Sequence, residues 1–202
     1  APSWPEPLGE RWHTRLPDDA NPRSRALAER RWQAAEGEPR AFLAALMARF
    51  GEAPFRYTLS PPRLTSRDRV DEFLFDSRAG YCTHYASAMA VLARSVGLPA
   101  RIVAGFLGGE RHPDGHFTVR DYDAHAWVEV WLEGAWQRID PTAAIAPERI
   151  EQGAEAVEDG GDAFLADSPF SPLRMRELGW VNRLRLDWER LEYRWQRGVI
   201  GY

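Results

Sequence analysis

Helical patterning in the first half of the chain, followed by short β-like runs in the second, predicts an α+β fold with an antiparallel sheet. Three observations carry this expectation. Phe42, Leu43, Leu46, Met47 and Phe50 recur at helical spacing. After Cys82 the run THYASAMAVLARSV is small, apolar and helix-permissive, and it stops at Gly97 with Pro99 just beyond. Further on, AHAWVEVWL and AWQRID flank Glu133-Gly134, a compact hairpin turn.

The elements follow in order. Asn21-Pro22 reads as an N-cap with proline in the first helical turn, starting a helix through about Trp32. The apolar stripe 42–50 makes a second helix, closed by Gly51. Residues 55–59 are short and aromatic and read as a strand before Ser60-Pro61-Pro62. Val70, Phe73 and Leu74 suggest a helical turn that leads into Gly80. The helix from Cys82 comes next, with Cys82, Ala86, Met89, Ala93 and Val96 on one face. Residues 100–107 are β-like, and 116–120, 124–132 and 135–140 read as three successive strands of a meander.

Composition excludes several classes of function. The 202 residues carry 30 acidic and 26 basic side chains, a net charge of −4, which disfavours nucleic acid as a partner. All 26 basic residues are arginine, so the chain offers no lysine amine as an acyl acceptor. No segment reaches the roughly 20 apolar residues that span a bilayer, and no signal-peptide pattern opens the sequence. One cysteine excludes an internal disulfide and multi-thiolate metal sites. No metal and no cofactor is expected. His112 and His116 flank a Gly/Pro turn and read as solvated.

The single cysteine stands where a thiol is most easily ionised. At the start of a helix it faces unpaired backbone N–H groups and the positive end of the helix dipole. With Leu132 opposite Ala135, Trp127 falls opposite Asp140, and His125 shares that face two residues away, diagonal to the carboxylate. A base held in one tautomer by a third group is what nucleophilic catalysis requires. Cys82, His125 and Asp140 are therefore the candidate nucleophile, base and orienting acid. The Cys82 N–H serves as one oxyanion donor, with Tyr57 or Tyr81 as the second. Trp127 is a candidate wall of the substrate cleft. His84, about 200° round the helix from Cys82, reads as a packing or capping residue.

GYCTHYASAMAVLARSVGLPARIVAGF, followed by YDAHAWVEVW and IDPTAA, resembles the transglutaminase-like superfamily, most closely the bacterial TgpA-type membrane-anchored transglutaminases. The resemblance is dense over 55–150, with looser matches out to RWQRGVIGY. It implies a papain-like core in which the cysteine-initiated helix packs on the antiparallel sheet. It also implies acyl transfer from a peptide glutamine to a primary amine or to water through a Cys82 thioester, in the periplasmic part of an inner-membrane protein. Thr83 departs from the acidic residue often found there, and no calcium-site match is present. A protease or amidase using the same triad, and an inactive peptide-binding scaffold, are the alternative readings.

By this reading residues 1–54 form an irregular and helical segment packed on the core, and 55–150 the catalytic core. Residues 151–168 form an acidic linker, and 169–202 a long helix bearing Trp188 and Trp195 that leads towards a membrane segment.

Overall fold

The structure, a computed structural model, describes residues 12–52, 54–111 and 115–152. The linker expected at 151–168 lies outside them but for its first two residues, and the helix expected at 169–202 lies wholly outside. Helices α1 (Pro22–Ala34) and α2 (Pro39–Gly51) come first, followed by the two-residue strand β1 (Arg56–Tyr57). A helical turn α3 (Arg69–Asp71) widens into a π-turn (Glu72–Ser77), and β2 (Ala79–Gly80) then delivers the chain to helix α4 (Cys82–Ser95). Strands β3 (Ala100–Phe106), β4 (Glu110–Arg111), β5 (Phe117–Thr118), β6 (Ala124–Leu132) and β7 (Ala135–Ile139) follow. Two short helices, α5 (Thr142–Ile145) and α6 (Pro147–Gln152), end the described chain.

Helix α4 is the centre of the core. Tyr85, Ala86, Ala88, Met89, Leu92 and Ala93 are fully buried along it. Its alanines let the helix approach the sheet closely, where Ala126, Val128, Val130 and Leu132 of β6 face it from alternate positions. Phe42, Leu46 and Phe50 of α2 and Leu27 and Ala28 of α1 join the same cluster, so the N-terminal helices share one core with the sheet. The Tyr85 ring sits among Phe50, Phe55 and Phe73, and its hydroxyl donates to the Arg56 carbonyl at 2.7 Å, tying α4 to β1.

The main sheet has the order β3-β6-β7, antiparallel throughout. Leu132 pairs with Ala135 and Val128 with Ile139, the register expected from the sequence. Glu133 and Gly134 both take positive φ (52° and 82°), the left-handed pair that a two-residue hairpin demands.

Two strand expectations need correction. The run 55–59 yields only Arg56–Tyr57, paired in parallel with Ala79–Gly80, because Ser60-Pro61-Pro62 withdraws the backbone donors a longer ladder needs. The run 116–120 is not a strand of a meander. Only Phe117–Thr118 is extended, in a separate ladder with Glu110–Arg111, while β3 pairs directly with β6. Gly108 and Gly109, at φ 86° and 145°, turn the chain out of the sheet after β3.

Asn21 also departs from expectation. It precedes α1, but its backbone is left-handed and its side chain does not cap that helix. Instead its Oδ1 accepts from the Val70 and Asp71 N–H groups at 3.0 and 3.3 Å. The buried Asp71 carboxylate returns the contact, accepting from the N–H groups of Arg23 and Ser24 at 2.9 and 2.7 Å and from the Ser24 hydroxyl at 2.5 Å. Each helix start is thus capped by a residue of the other, which fixes the segment that leads to Cys82. Asp71→Ala should therefore destabilise the protein by about 2–3 kcal/mol, the loss of a cap plus buried donors left unpaired. Urea unfolding checks this, and a change below about 0.5 kcal/mol would show the clasp to be incidental.

Candidate active site

Cys82 is the first residue of α4. The preceding Tyr81 occupies the N-cap in an extended conformation, and the Tyr81 N–H reaches His84 Nδ1 at 3.4 Å. The His84 ring lies edge-on to Tyr81, at 4.5 Å, and against Phe73. His84 therefore sits in the capping position expected of it, and burial lowers its pKa. Gly80 is required next to it, because a Cβ there would stand 2.7 Å from His84 Cβ.

His125 lies on β6 with its ring wholly buried, and its Nε2 sits 2.9 Å from Asp140 Oδ2. The hairpin register does this: β7 ends at Ile139, and Asp140 follows at the rim on the His125 face. Pro141 then turns the chain into α5, and Asp140 Oδ1 accepts from the Thr142 N–H at 3.2 Å. With Nε2 taken by the carboxylate, His125 Nδ1 is buried without an aligned hydrogen-bond partner and is the ring nitrogen not engaged by Asp140. Catalytic hydrogen bonds are commonly loose before substrate arrives.

The three groups reinforce one another's charge. Burial opposes ionisation of the Cys82 thiol, but the His125 imidazole and the backbone N–H groups of Ala126 and Thr83 together outweigh it and hold the pKa below the ordinary value. For His125, burial again works against charge, yet Asp140 and Cys82 together push its pKa up to about 9. Asp140, desolvated but paired with His125 and Arg138, sits below its usual range. The resting pair these shifts favour is thiolate and imidazolium.

Two participants escaped the sequence reading. Arg138 donates to Asp140 Oδ2 at 2.9 Å, and its guanidinium lies 4.2 Å over the Trp127 ring. Strand parity held this signal, since Arg138 is two residues from Asp140 on the same face. The other is the Ala126 N–H. The Trp131 N–H bonds the Pro99 carbonyl, so odd residues of β6 point towards β3 and Ala126 points towards β7. There β7 has ended and proline follows, which leaves that N–H to the sulfur.

Trp127 is half-buried, its ring nearly parallel to His125 at 6.3 Å. Gly105 makes room for it, since a Cβ at that position would stand 2.9 Å from the indole. Tyr57 lies on β1 beside Gly80, its ring parallel to Tyr85 at 6.5 Å. Tyr57 and Tyr81 therefore flank the same helix start. Among the described residues no cluster of three or more His, Cys, Asp or Glu side chains is arranged to hold a metal ion, and no helix is long and apolar enough to cross a membrane.

A family model described as transglutaminase-like superfamily matches residues 26–141. Over 99% of its length the chain is 51% identical to the protein-glutamine gamma-glutamyltransferase of Pseudomonas aeruginosa, of which it covers 31%. The crystal structure of the periplasmic domain of TgpA from Pseudomonas aeruginosa superposes with a TM-score of 0.71. Identity there is 52%, over 76% of this chain and 53% of that one. The ethylmercury-bound form of that domain gives 0.69 over 73% and 53%. An uncharacterized protein of Bacillus subtilis, YebA, is 38% identical over 47% of this chain and 14% of its own. The chain thus spans about a third of the Pseudomonas enzyme and about half of the solved domain. From residue 26 through the Asp140-Pro141 rim, the α+β architecture and the matched sequence agree: the chain belongs to the transglutaminase-like superfamily.

Proposed function

We propose that the chain is the catalytic part of a periplasmic protein-glutamine γ-glutamyltransferase, with Cys82 as nucleophile, His125 as proton carrier and Asp140 as the group that orients it. The observation that carries this reading is the buried imidazole, bound through Nε2 to a carboxylate and left with Nδ1 for a helix-start thiol. The similarity to the Pseudomonas enzyme over nearly the whole chain supports the reaction class and the compartment.

The chemistry follows from those positions. The Cys82 thiolate attacks the carboxamide carbon of a glutamine side chain, and the carbonyl becomes an oxyanion. As the first residue of α4, Cys82 has a backbone N–H with no acceptor inside the helix, so this donor is available to the oxyanion. Tyr57 or Tyr81 supplies the second. Imidazolium Nδ1–H protonates the departing nitrogen, ammonia leaves, and a thioester remains. A primary amine then attacks, giving its proton to Nδ1, and collapse releases the new amide and restores the ion pair. Water in place of the amine gives glutamate. These 202 residues themselves offer no lysine amine as an acceptor.

A labelled primary amine incubated with a glutamine peptide should be incorporated, and Cys82→Ala should lower that rate by a factor on the order of 10³ or more without unfolding the protein. Persistence of activity in Cys82→Ala, or peptide cleavage in place of incorporation, contradicts the assignment.

The pH profile gives a second check. The active ion pair forms as pH rises through the lowered Cys82 value and is lost as it rises through the His125 value of about 9. Asp140→Asn removes the negative charge that raises the imidazole, so the alkaline limb of kcat/KM should move down from about 9 towards the ordinary 6.5. An alkaline limb that stays in place shows that Asp140 does not set the His125 charge.

A further inference from the structure

A cavity of about 580 Å³ opens beside the start of α4. Tyr81 and Thr83, the two neighbours of Cys82 in sequence, both line it, together with Ser87 one turn further along. Arg63, Arg69 and Phe73 line it as well.

The charge of this cavity runs against that of the chain. Acidic residues outnumber basic ones 30 to 26 overall, yet among the described residues the cavity wall holds two arginines and no carboxylate. Both arginines are exposed, and neither has an ion pair among the described residues. The nearest acids in sequence hold other partners: Asp68 Oδ1 accepts from the Asn21 N–H at 2.7 Å, Asp71 from the Arg23 and Ser24 N–H groups, and Glu72 Oε2 from the Ser66 N–H at 2.8 Å. His84, also on the wall, is held towards its neutral form by burial. What remains is a concave surface with two forked cationic donors, Thr and Ser hydroxyls, and aromatic rings, adjoining the residues on either side of the nucleophile.

We infer that this cavity is a donor subsite that selects glutamine substrates carrying a carboxylate near the reactive residue, an acidic peptide in place of a basic one. Guanidinium groups match carboxylates through paired N–H donors, and Arg63 and Arg69 line the same cavity as Tyr81 and Thr83. A peptide chain whose glutamine reaches Cys82 passes Tyr81 or Thr83 and brings its neighbouring side chains into the cavity. The inference rests on the proposed transfer reaction, so its test includes a readout that needs no turnover.

Two glutamine peptides of equal length serve as probes, one with glutamate flanking the glutamine and one with lysine at the same positions. Their binding to full-length Cys82→Ala protein is measured by calorimetry at low ionic strength, and their kcat/KM with the active protein at two salt concentrations. The acidic peptide is expected to bind about tenfold more tightly and to react with a similar advantage, both shrinking as salt rises. The double substitution Arg63→Glu/Arg69→Glu should reverse the order of the two peptides while the melting temperature stays within a few degrees. Tighter binding of the acidic peptide without any turnover supports the subsite and contradicts the transfer reaction. Equal binding of the two peptides, or a preference unchanged in the double variant, overturns the subsite whether or not transfer occurs.

Discussion

The register of one hairpin holds the site together. Pairing Leu132 with Ala135 across a turn of two left-handed residues places the residue after Ile139 beside His125, and that residue is aspartate. A slip of one position would move every side chain of β7 and the residue beyond it to the opposite face, and would separate the carboxylate from the imidazole. Ile139 of β7, packed on the same core as Val128, Val130 and Leu132 of β6, opposes such a slip, so the apolar packing that stabilises the fold also fixes the distance between two polar groups on the other face. Packing and chemistry are set by the same alternation.

Position on the helix completes the arrangement. Cys82 is anchored in the core cluster, so its sulfur is held in place instead of sampling solvent. Burial alone would keep both the thiol and the imidazole neutral. The charged pair is favoured because each group stabilises the other and because fixed donors and acceptors surround them: Asp140 behind the ring, the Ala126 and Thr83 N–H groups at the sulfur. Arg138, laid over Trp127, draws on the same carboxylate and steadies it from the solvent side. Upstream, the reciprocal capping between Asn21 and Asp71 ties α1 to the turn that delivers Gly80 and Tyr81 to the helix start.

Much of this was legible in the residues. The α4 helix was readable from its small apolar run and its Gly97 stop, and the hairpin from alternation about Glu133-Gly134. The approach of His125 to Asp140 followed from parity. What escaped had physical reasons. The run 116–120 has strand-like residues, yet whether it joins the sheet depends on where Gly108 and Gly109 send the chain, a tertiary matter. Asn21 carries a capping side chain, but which helix it caps is decided by a contact across nearly fifty residues. The Ala126 N–H belongs to the backbone, and only the point at which β7 ends makes it free. The cavity beside Tyr81 and Thr83 assembles residues from three separate stretches, so no local pattern announces it.

The central claim is that Cys82 rests as a thiolate because His125 rests as an imidazolium. Ultraviolet titration of the thiolate in the folded protein, with and without His125→Ala, tests it most directly, since Cys82 is the only thiol and no substrate is needed. The account predicts ionisation below the ordinary thiol range in the parent protein, and a clear rise in the variant, where only the Ala126 and Thr83 N–H groups still oppose burial. A thiol that titrates at the same pH in both proteins would contradict it.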